Sequence, residues 1–114
     1  MNIDQLEKDI LSSYEETELL PMRGEFGGTL IGAACGVGAP YARAALLGKT
    51  TDIRPGIWFA EHYGVSISWV DGFICGFDES DPEAPEPNIF CKDWLEGYAS
   101  GRRVAKKVFE EVKP

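Results

Sequence analysis

A chain of 114 residues, 44% hydrophobic and 26% charged, has the length of one domain and the composition of a globular protein, which excludes an extended disordered chain. Its net charge of -8 repels polyanions and disfavours nonspecific binding to nucleic acids or anionic membranes. We therefore expect one domain over residues 1–114 whose partners are not nucleic acids.

The cysteines and one uncharged stretch indicate the cellular compartment. Cys35, Cys75 and Cys91 are odd in number and widely spaced, which favours free thiols in a reducing environment over a disulfide framework. Residues 26–39 carry no charge, but Pro40 and Arg43 follow them, and the stretch is shorter than the roughly 20 residues that span a bilayer. The N-terminus lacks the basic and apolar regions of a secretory signal. These features predict a cytoplasmic protein with no membrane segment.

The first residues predict an amphipathic helix. Apolar side chains recur at helical spacing at Ile3, Leu6, Ile10 and Tyr14. Asn2 or Asp4 can cap the first turn. We interpret the acidic outer face as solvated, and a partner-binding face is the alternative. That face comprises Glu7, Asp9, Glu15, Glu16 and Glu18.

Glycine then recurs at every fourth position, at Gly24, Gly28, Gly32 and Gly36. On a helix these residues form one smooth stripe. Each interior glycine costs about 0.5 to 1 kcal/mol relative to alanine, so the stripe is reasonable only where another helix packs closely against it. The spacing predicts a closely packed glycine-striped helix.

Residues 28–40 resemble the opening helix of ADP-ribosylglycohydrolases. In that family an acidic metal ligand follows the glycine that Gly36 would match. Val37 stands at that position here. The resemblance therefore implies a helix, and no metal-binding residue is carried over from it.

Two short helices are predicted next, over 41–47 and 56–63, because each has a proline at its start and a glycine just past its end. The second helix leads into a stretch that resembles a helix-turn-helix corner. Its contact and turn positions are Ala60, Gly64, Val65, Ser66 and Val70.

The side chains that would face DNA from this corner include no Arg, Lys, Asn or Gln, the residue types that read bases or bind phosphates. They are Ser66, Ile67, Ser68, Asp71 and Gly72. The corner is therefore predicted to serve packing or a protein partner rather than DNA.

One pattern occurs twice, at 69–76 and 94–101: Trp, aliphatic, acid, Gly, aromatic, two residues, Gly. Two glycines four apart on a helix allow another backbone to approach closely, so we predict packing or interaction surfaces. A hairpin around Asp71 and Gly72 is the alternative for 65–78. We favour a helix, because Ser68 and Asp71 fit a capping box. The predicted residues are Trp69, Gly72, Phe73, Gly76, Trp94, Gly97, Tyr98 and Gly101.

Residues 78–88 are rich in acids and prolines, which predicts an exposed loop. A long helix follows, with an apolar stripe and four basic residues. Those residues are candidates for contact with a partner or a phosphate, and the alternative is compensation of the helix dipole together with pairing to the acidic first helix. They are Arg102, Arg103, Lys106 and Lys107.

Catalytic and metal-binding patterns are missing from the sequence. The chain has one histidine, His62, and no close pair of cysteines, so it predicts no metal site, no cofactor and no enzymatic activity. We expect an all-α, compact bundle of about five or six helices with glycine-mediated packing and a helix-turn-helix-like corner.

The expected function is protein binding, as an inhibitor, adaptor or regulator of the kind that phages and bacteria encode. Self-association into a homo-oligomer is left open. The alternative function is small-molecule or nucleotide binding, possibly enzymatic, in a pocket lined by the glycine stripe and Trp58, Trp69 and Trp94.

Overall fold

The computed structural model describes residues 2–28, 30–50, 53–78 and 91–111. Within these ranges the chain is mostly helical, as predicted, and it also contains a small three-stranded sheet. The predicted acidic loop over 78–88 lies, beyond Asp78, outside the described residues. The elements are α1 (Ile3–Thr17), β1 (Leu20–Pro21), β2 (Gly27–Gly28), β3 (Ala33–Ala34), α2 (Gly38–Leu46), α3 (Pro55–Tyr63), α4 (Ile67–Phe77) and α5 (Lys92–Glu111).

Helix α1 forms where its sequence signals predict it, but Glu7, which was assigned to the solvated face, is buried because its carboxylate pairs with Arg103 of α5. The side chain of Asn2 accepts a hydrogen bond from the backbone N–H of Asp4 at 2.8 Å and so caps the first turn. Leu6 and Ile10 are fully buried. The hydroxyl of Tyr14 donates to the backbone carbonyl of Ala34 at 2.7 Å. This hydrogen bond fixes α1 to the sheet.

The sheet occupies the segment for which a glycine-striped helix was predicted, and that prediction is wrong. Strand β3 lies in the centre, parallel to β1 and antiparallel to β2. Gly24, Gly27 and Gly32 have φ of 85°, 73° and 79°, values that side-chain-bearing residues rarely adopt and a right-handed helix excludes. A Cβ atom on Gly27 would also overlap the carbonyl oxygen of Ala33. These glycines therefore serve turns and close strand pairing.

Helix α2 begins at Gly38, earlier than the predicted 41–47. Gly38 does not have positive φ, yet a Cβ atom there would overlap the carbonyl oxygen of Phe26. The glycine is needed for close approach of two backbones rather than for its own backbone conformation.

Helices α3 and α4 follow each other across the three residues 64–66, in the stretch that resembles a helix-turn-helix corner. Gly64 closes α3 in the left-handed conformation, with φ of 69°. Residues 67–77 are helical, so the hairpin alternative is excluded. The cap differs from the predicted Ser68 and Asp71 box, because Ser66 is the N-cap and accepts a hydrogen bond from the N–H of Trp69 at 3.1 Å.

The core is built around an aromatic row on α3 and α4. Phe59 packs against Trp69 and Phe73, and Phe73 stacks on Phe77, with ring centroids 5.5 to 6.3 Å apart. Burial of each large apolar side chain stabilises the fold by about 1.5 to 3 kcal/mol. Within the described ranges, every helix is too short or too polar to cross a bilayer.

Candidate functional site

The two sequence repeats pack against each other as a parallel helix pair. A Cβ atom on Gly72 would overlap the carbonyl oxygen of Trp94, and one on Gly97 would overlap that of Trp69. The same holds one turn further along. A Cβ atom on Gly76 would overlap the carbonyl oxygen of Tyr98, and one on Gly101 would overlap the carbonyl oxygen of Phe73. Equivalent residues of the two repeats thus make equivalent contacts. An approximate two-fold axis therefore relates α4 to α5.

The aromatic residues of the two repeats also have matching geometry. The rings of Trp69 and Phe73 lie 5.4 Å apart and 17° from parallel, while those of Trp94 and Tyr98 lie 5.1 Å apart and 14° from parallel. Trp69, Phe73 and Trp94 are buried, and Tyr98 is half-buried. The structure therefore places all eight predicted residues at or beside one internal helix contact.

A second set of predicted residues lines a groove on the outer side of α5. This basic groove has a volume of about 510 Å³, and among the described residues it carries four cationic side chains and one carboxylate. Arg102, Arg103 and Lys106 line it, whereas the predicted Lys107 is not among the described lining residues. Those lining residues are Arg23, Ala99, Arg102, Arg103, Ala105, Lys106, Phe109 and Glu110.

Two of the arginines in the basic groove are held by the fold. The guanidinium carbon of Arg23 lies 3.8 Å from the ring centroid of Phe109, and its Nε donates to the carbonyl of Phe77 at 3.3 Å. Arg103 donates from Nη2 to the buried carboxylate of Glu7 at 2.9 Å. Ser100 donates to the same carboxylate at 3.0 Å.

Sequence reasoning missed Arg23, since that segment was assigned to a helix. A lone arginine among loop glycines carries no pattern that links it to α5. The link arises only because β1 contacts α5 and brings the residue alongside.

A separate polar cavity of about 560 Å³ lies between α1, α2 and α3. Arg43 crosses it, donating to Asp9 at 2.7 Å and to Glu16 at 2.9 Å. The hydroxyl of Tyr63 also donates to Asp9. The lining residues in the described part of the chain are Asp9, Glu16, Pro40, Arg43, Ala44, Leu47, Lys49, Trp58 and His62.

Burial and hydrogen bonding shift the pKa values of Arg43 and Tyr63 in this network. Burial lowers the pKa of Arg43, but its hydrogen bonds to Glu16 and Asp9 outweigh this and raise the pKa overall. Burial raises the pKa of Tyr63, and the hydrogen bond to Asp9 raises it further, so Tyr63 remains a neutral donor. The network is a stable polar bridge between helices.

Aromatic rings form one wall of the polar cavity. The imidazole of His62 stacks on the indole of Trp58, with centroids 4.8 Å apart and planes 13° from parallel. Of the three tryptophans predicted as pocket lining, Trp58 lines this cavity. The glycine pairs of α4 and α5 are filled by facing backbone and leave no room there for a ligand.

The connection between β2 and β3 carries exposed aliphatic side chains. Leu30 is fully exposed, and Ile31 and the adjacent Leu20 on β1 are 60% and 57% exposed. The backbone is nevertheless held in place, since the N–H groups of Ile31 and Gly32 both donate to the carbonyl of Gly28. We call Leu20, Leu30 and Ile31 the apolar loop surface.

Within the described ranges, no group of three or more His, Cys, Asp or Glu side chains could bind a metal ion. Comparisons with protein-family models, with curated proteins and with solved structures give no match. Functional inference therefore rests on the surfaces and cavities themselves.

Proposed function

We propose that this chain is a small, non-enzymatic protein-binding domain that acts as an inhibitor, adaptor or regulator, of the kind that phages and bacteria encode. The observation that carries the proposal is the apolar loop surface. Contiguous exposed apolar side chains are typical of protein interaction sites, and loops held by a rigid scaffold often carry function.

The loop is organised before any partner arrives. Leu20 and Met22 donate their backbone N–H groups across to Gly32 and Ala34, each at 3.1 Å, and Cys35 donates to Phe26 at 3.2 Å. A surface that is already ordered loses less conformational entropy on binding. Leu30 is fully exposed and so stabilises little by burial, which favours a role in recognition.

The proposal is tested by immobilising the protein and capturing partners from lysate of its native cells, with quantitative mass spectrometry. Wild type is expected to retain a protein at near-equal stoichiometry, and the variant Leu30→Ser with Ile31→Ser is expected to lose it. The matched control is Leu46→Ser with Leu47→Ser, at the last residue of α2 and its C-cap, which are 62% and 61% exposed.

All variants should unfold at similar urea concentrations, since exposed substitutions change stability little. Loss of the partner only in the α2 control would place the interface elsewhere. Failure of wild type to retain any stoichiometric partner would overturn the proposed function.

Small-molecule binding is the second candidate, and the stacked Trp58 and His62 in the polar cavity are the observation that favours it. The volume of about 560 Å³ falls within the range of roughly 300 to 1,000 Å³ common for ligand sites. Thermal-shift screening with nucleotides and other planar small molecules tests this candidate. A concentration-dependent rise in Tm that is lost in Trp58→Leu would support it.

A further inference from the structure

We propose that the basic groove binds an acidic segment of the partner protein. This inference rests on the proposed function and names the chemistry of the partner. Strand β1 carries Leu20 of the apolar loop surface, contacts α5, and precedes Arg23 of the groove by two residues. One short segment of the chain thus supplies both an apolar and a cationic contact.

The arginines of the groove are positioned for carboxylates. A guanidinium carries five N–H donors in a fixed plane, and Arg23 uses one of them in its hydrogen bond to Phe77. Stacking on Phe109 restricts the plane of that guanidinium. Arg103 is likewise held by Glu7 on α1. Ordered guanidinium groups bind a carboxylate with a smaller entropic cost than free side chains.

The helix dipole does not account for this cluster of charge. Within the described residues, α5 runs to Glu111 and has no basic residue in its last turn, where the dipole effect is felt. Arg102 and Lys106 lie at least one turn before that point. Arg103 pairs with Glu7 of α1. The guanidinium carbon of Arg102 lies 5.8 Å from the ring centroid of Tyr98, and both Arg102 and Lys106 line the groove, where their charges suit an anionic ligand.

The shape and surroundings of the groove favour a protein segment over a nucleic acid. Ala99 and Phe109 add apolar surface to the groove, which suits a peptide carrying both carboxylates and aliphatic side chains. Glu110 stands at the groove, and the whole chain carries a net charge of -8. A long polyanion would therefore meet repulsion beyond the groove, whereas a short acidic segment would not.

The test is a fluorescence anisotropy titration with a labelled peptide of Glu and Leu residues, at about 50 mM salt, where surface electrostatics are strong. The same peptide with Gln in place of Glu is the uncharged control probe. Wild type is expected to bind the acidic peptide saturably and more tightly than the Gln peptide. The affinity should fall about tenfold in Arg102→Gln with Lys106→Gln, because this variant removes two of the charges that would face the carboxylates of the peptide.

The matched control variant is Lys92→Gln with Lys107→Gln, which removes the same charge from exposed positions of α5 outside the groove. Its affinity should stay within about twofold of wild type. Equal weakening by both double variants would show nonspecific attraction and overturn the proposal. Tighter groove-dependent binding of single-stranded DNA or pyrophosphate than of the acidic peptide would also overturn it.

The two proposals can fail separately. Leu30→Ser with Ile31→Ser should still bind the acidic peptide, since these side chains do not line the groove. Capture of a partner that depends on the apolar loop surface, together with no binding of the acidic peptide, would leave the proposed function standing and overturn the groove proposal alone.

Discussion

The carbonyl oxygen of Trp69 occupies the space into which a side chain on Gly97 would project. The reciprocal contact joins Trp94 and Gly72. Two helices can approach this closely only where neither carries a Cβ atom at the contact. The glycines are therefore needed for the short distance between the two backbones and not for flexibility.

Gly72→Ala is expected to destabilise the fold by about 1 to 3 kcal/mol or more, because the added methyl group forces two backbones apart. Gly56→Ala is the matched control, since its Cβ atom would lie 3.9 Å from the nearest atom, on Val70. Alanine on α3 should be neutral or stabilise by up to about 1 kcal/mol. Urea unfolding at equilibrium measures both, and equal midpoints would contradict the close contact.

Arg103→Ala is expected to cost about 1 to 2 kcal/mol of stability, because it removes the main partner of the buried carboxylate of Glu7. The figure is modest because the Arg103 side chain is 53% exposed. Arg102→Ala, one residue away and exposed, should cost less than about 0.5 kcal/mol. A double-mutant cycle of Arg103→Ala with Glu7→Ala isolates the pair, and a coupling energy near zero would show that the ion pair contributes nothing.

Stability should fall as the pH rises from about 9 to 11. Burial raises the pKa of the Cys35 thiol from its ordinary value of 9.0 to about 11. A group whose pKa is higher in the folded state contributes stability below the unfolded pKa and loses it as the pH rises through the folded value. The contribution amounts to about 2 to 3 kcal/mol, at about 1.4 kcal/mol per pKa unit.

Cys35→Ala tests this effect, because Tyr14 and Tyr63, whose pKa values burial also raises, remain in both proteins, and the Cys35 charge is a smaller cause of the Tyr14 shift than burial. Between about pH 9 and 11, the unfolding free energy of the wild type should fall relative to that of the variant. Curves that stay parallel from pH 8 to 11 would exclude Cys35 as the source.

The protein is expected not to bind duplex DNA through its helix-turn-helix-like corner. Of the five positions that would face the major groove, Gly72 is buried against Trp94, and the others offer no Arg, Lys, Asn or Gln. Anisotropy titration with random duplex DNA at about 50 mM salt, where electrostatic binding is strongest, provides the measurement. Saturable micromolar binding that is insensitive to Arg102→Gln with Lys106→Gln would implicate the corner.

The sequence predicted the elements that local chemistry determines. Asn2 marks the start of α1 because its side-chain oxygen accepts a hydrogen bond from the first turn. Gly64 marks the end of α3 because a residue without a Cβ atom readily adopts the left-handed conformation. The apolar spacing of α1 and α5 likewise reflects one buried face. The repeat at 69–76 and 94–101 indicated close helix packing in the same way, from residues four apart.

The segment 20–34 could not be assigned from spacing alone. A glycine every fourth residue fits a smooth helical face, but glycine is equally suited to positive φ and to paired strands, as Gly27 shows. Its strands have two residues each, too short for any alternation of apolar and polar side chains to appear. This sheet places Arg23 at the basic groove. The sequence therefore predicted the groove residues on α5 but not Arg23.

The matching contacts of α4 and α5 have a consequence for symmetry. In an interface with two-fold symmetry, both partners present the same surface patch, so one pattern used twice supplies both sides of this contact. The surroundings of the two copies differ: Trp69 and Phe73 belong to the aromatic core, while the helix that carries Tyr98 continues into the basic groove. The two helices therefore pair within one chain in the way that the subunits of a symmetric dimer pair.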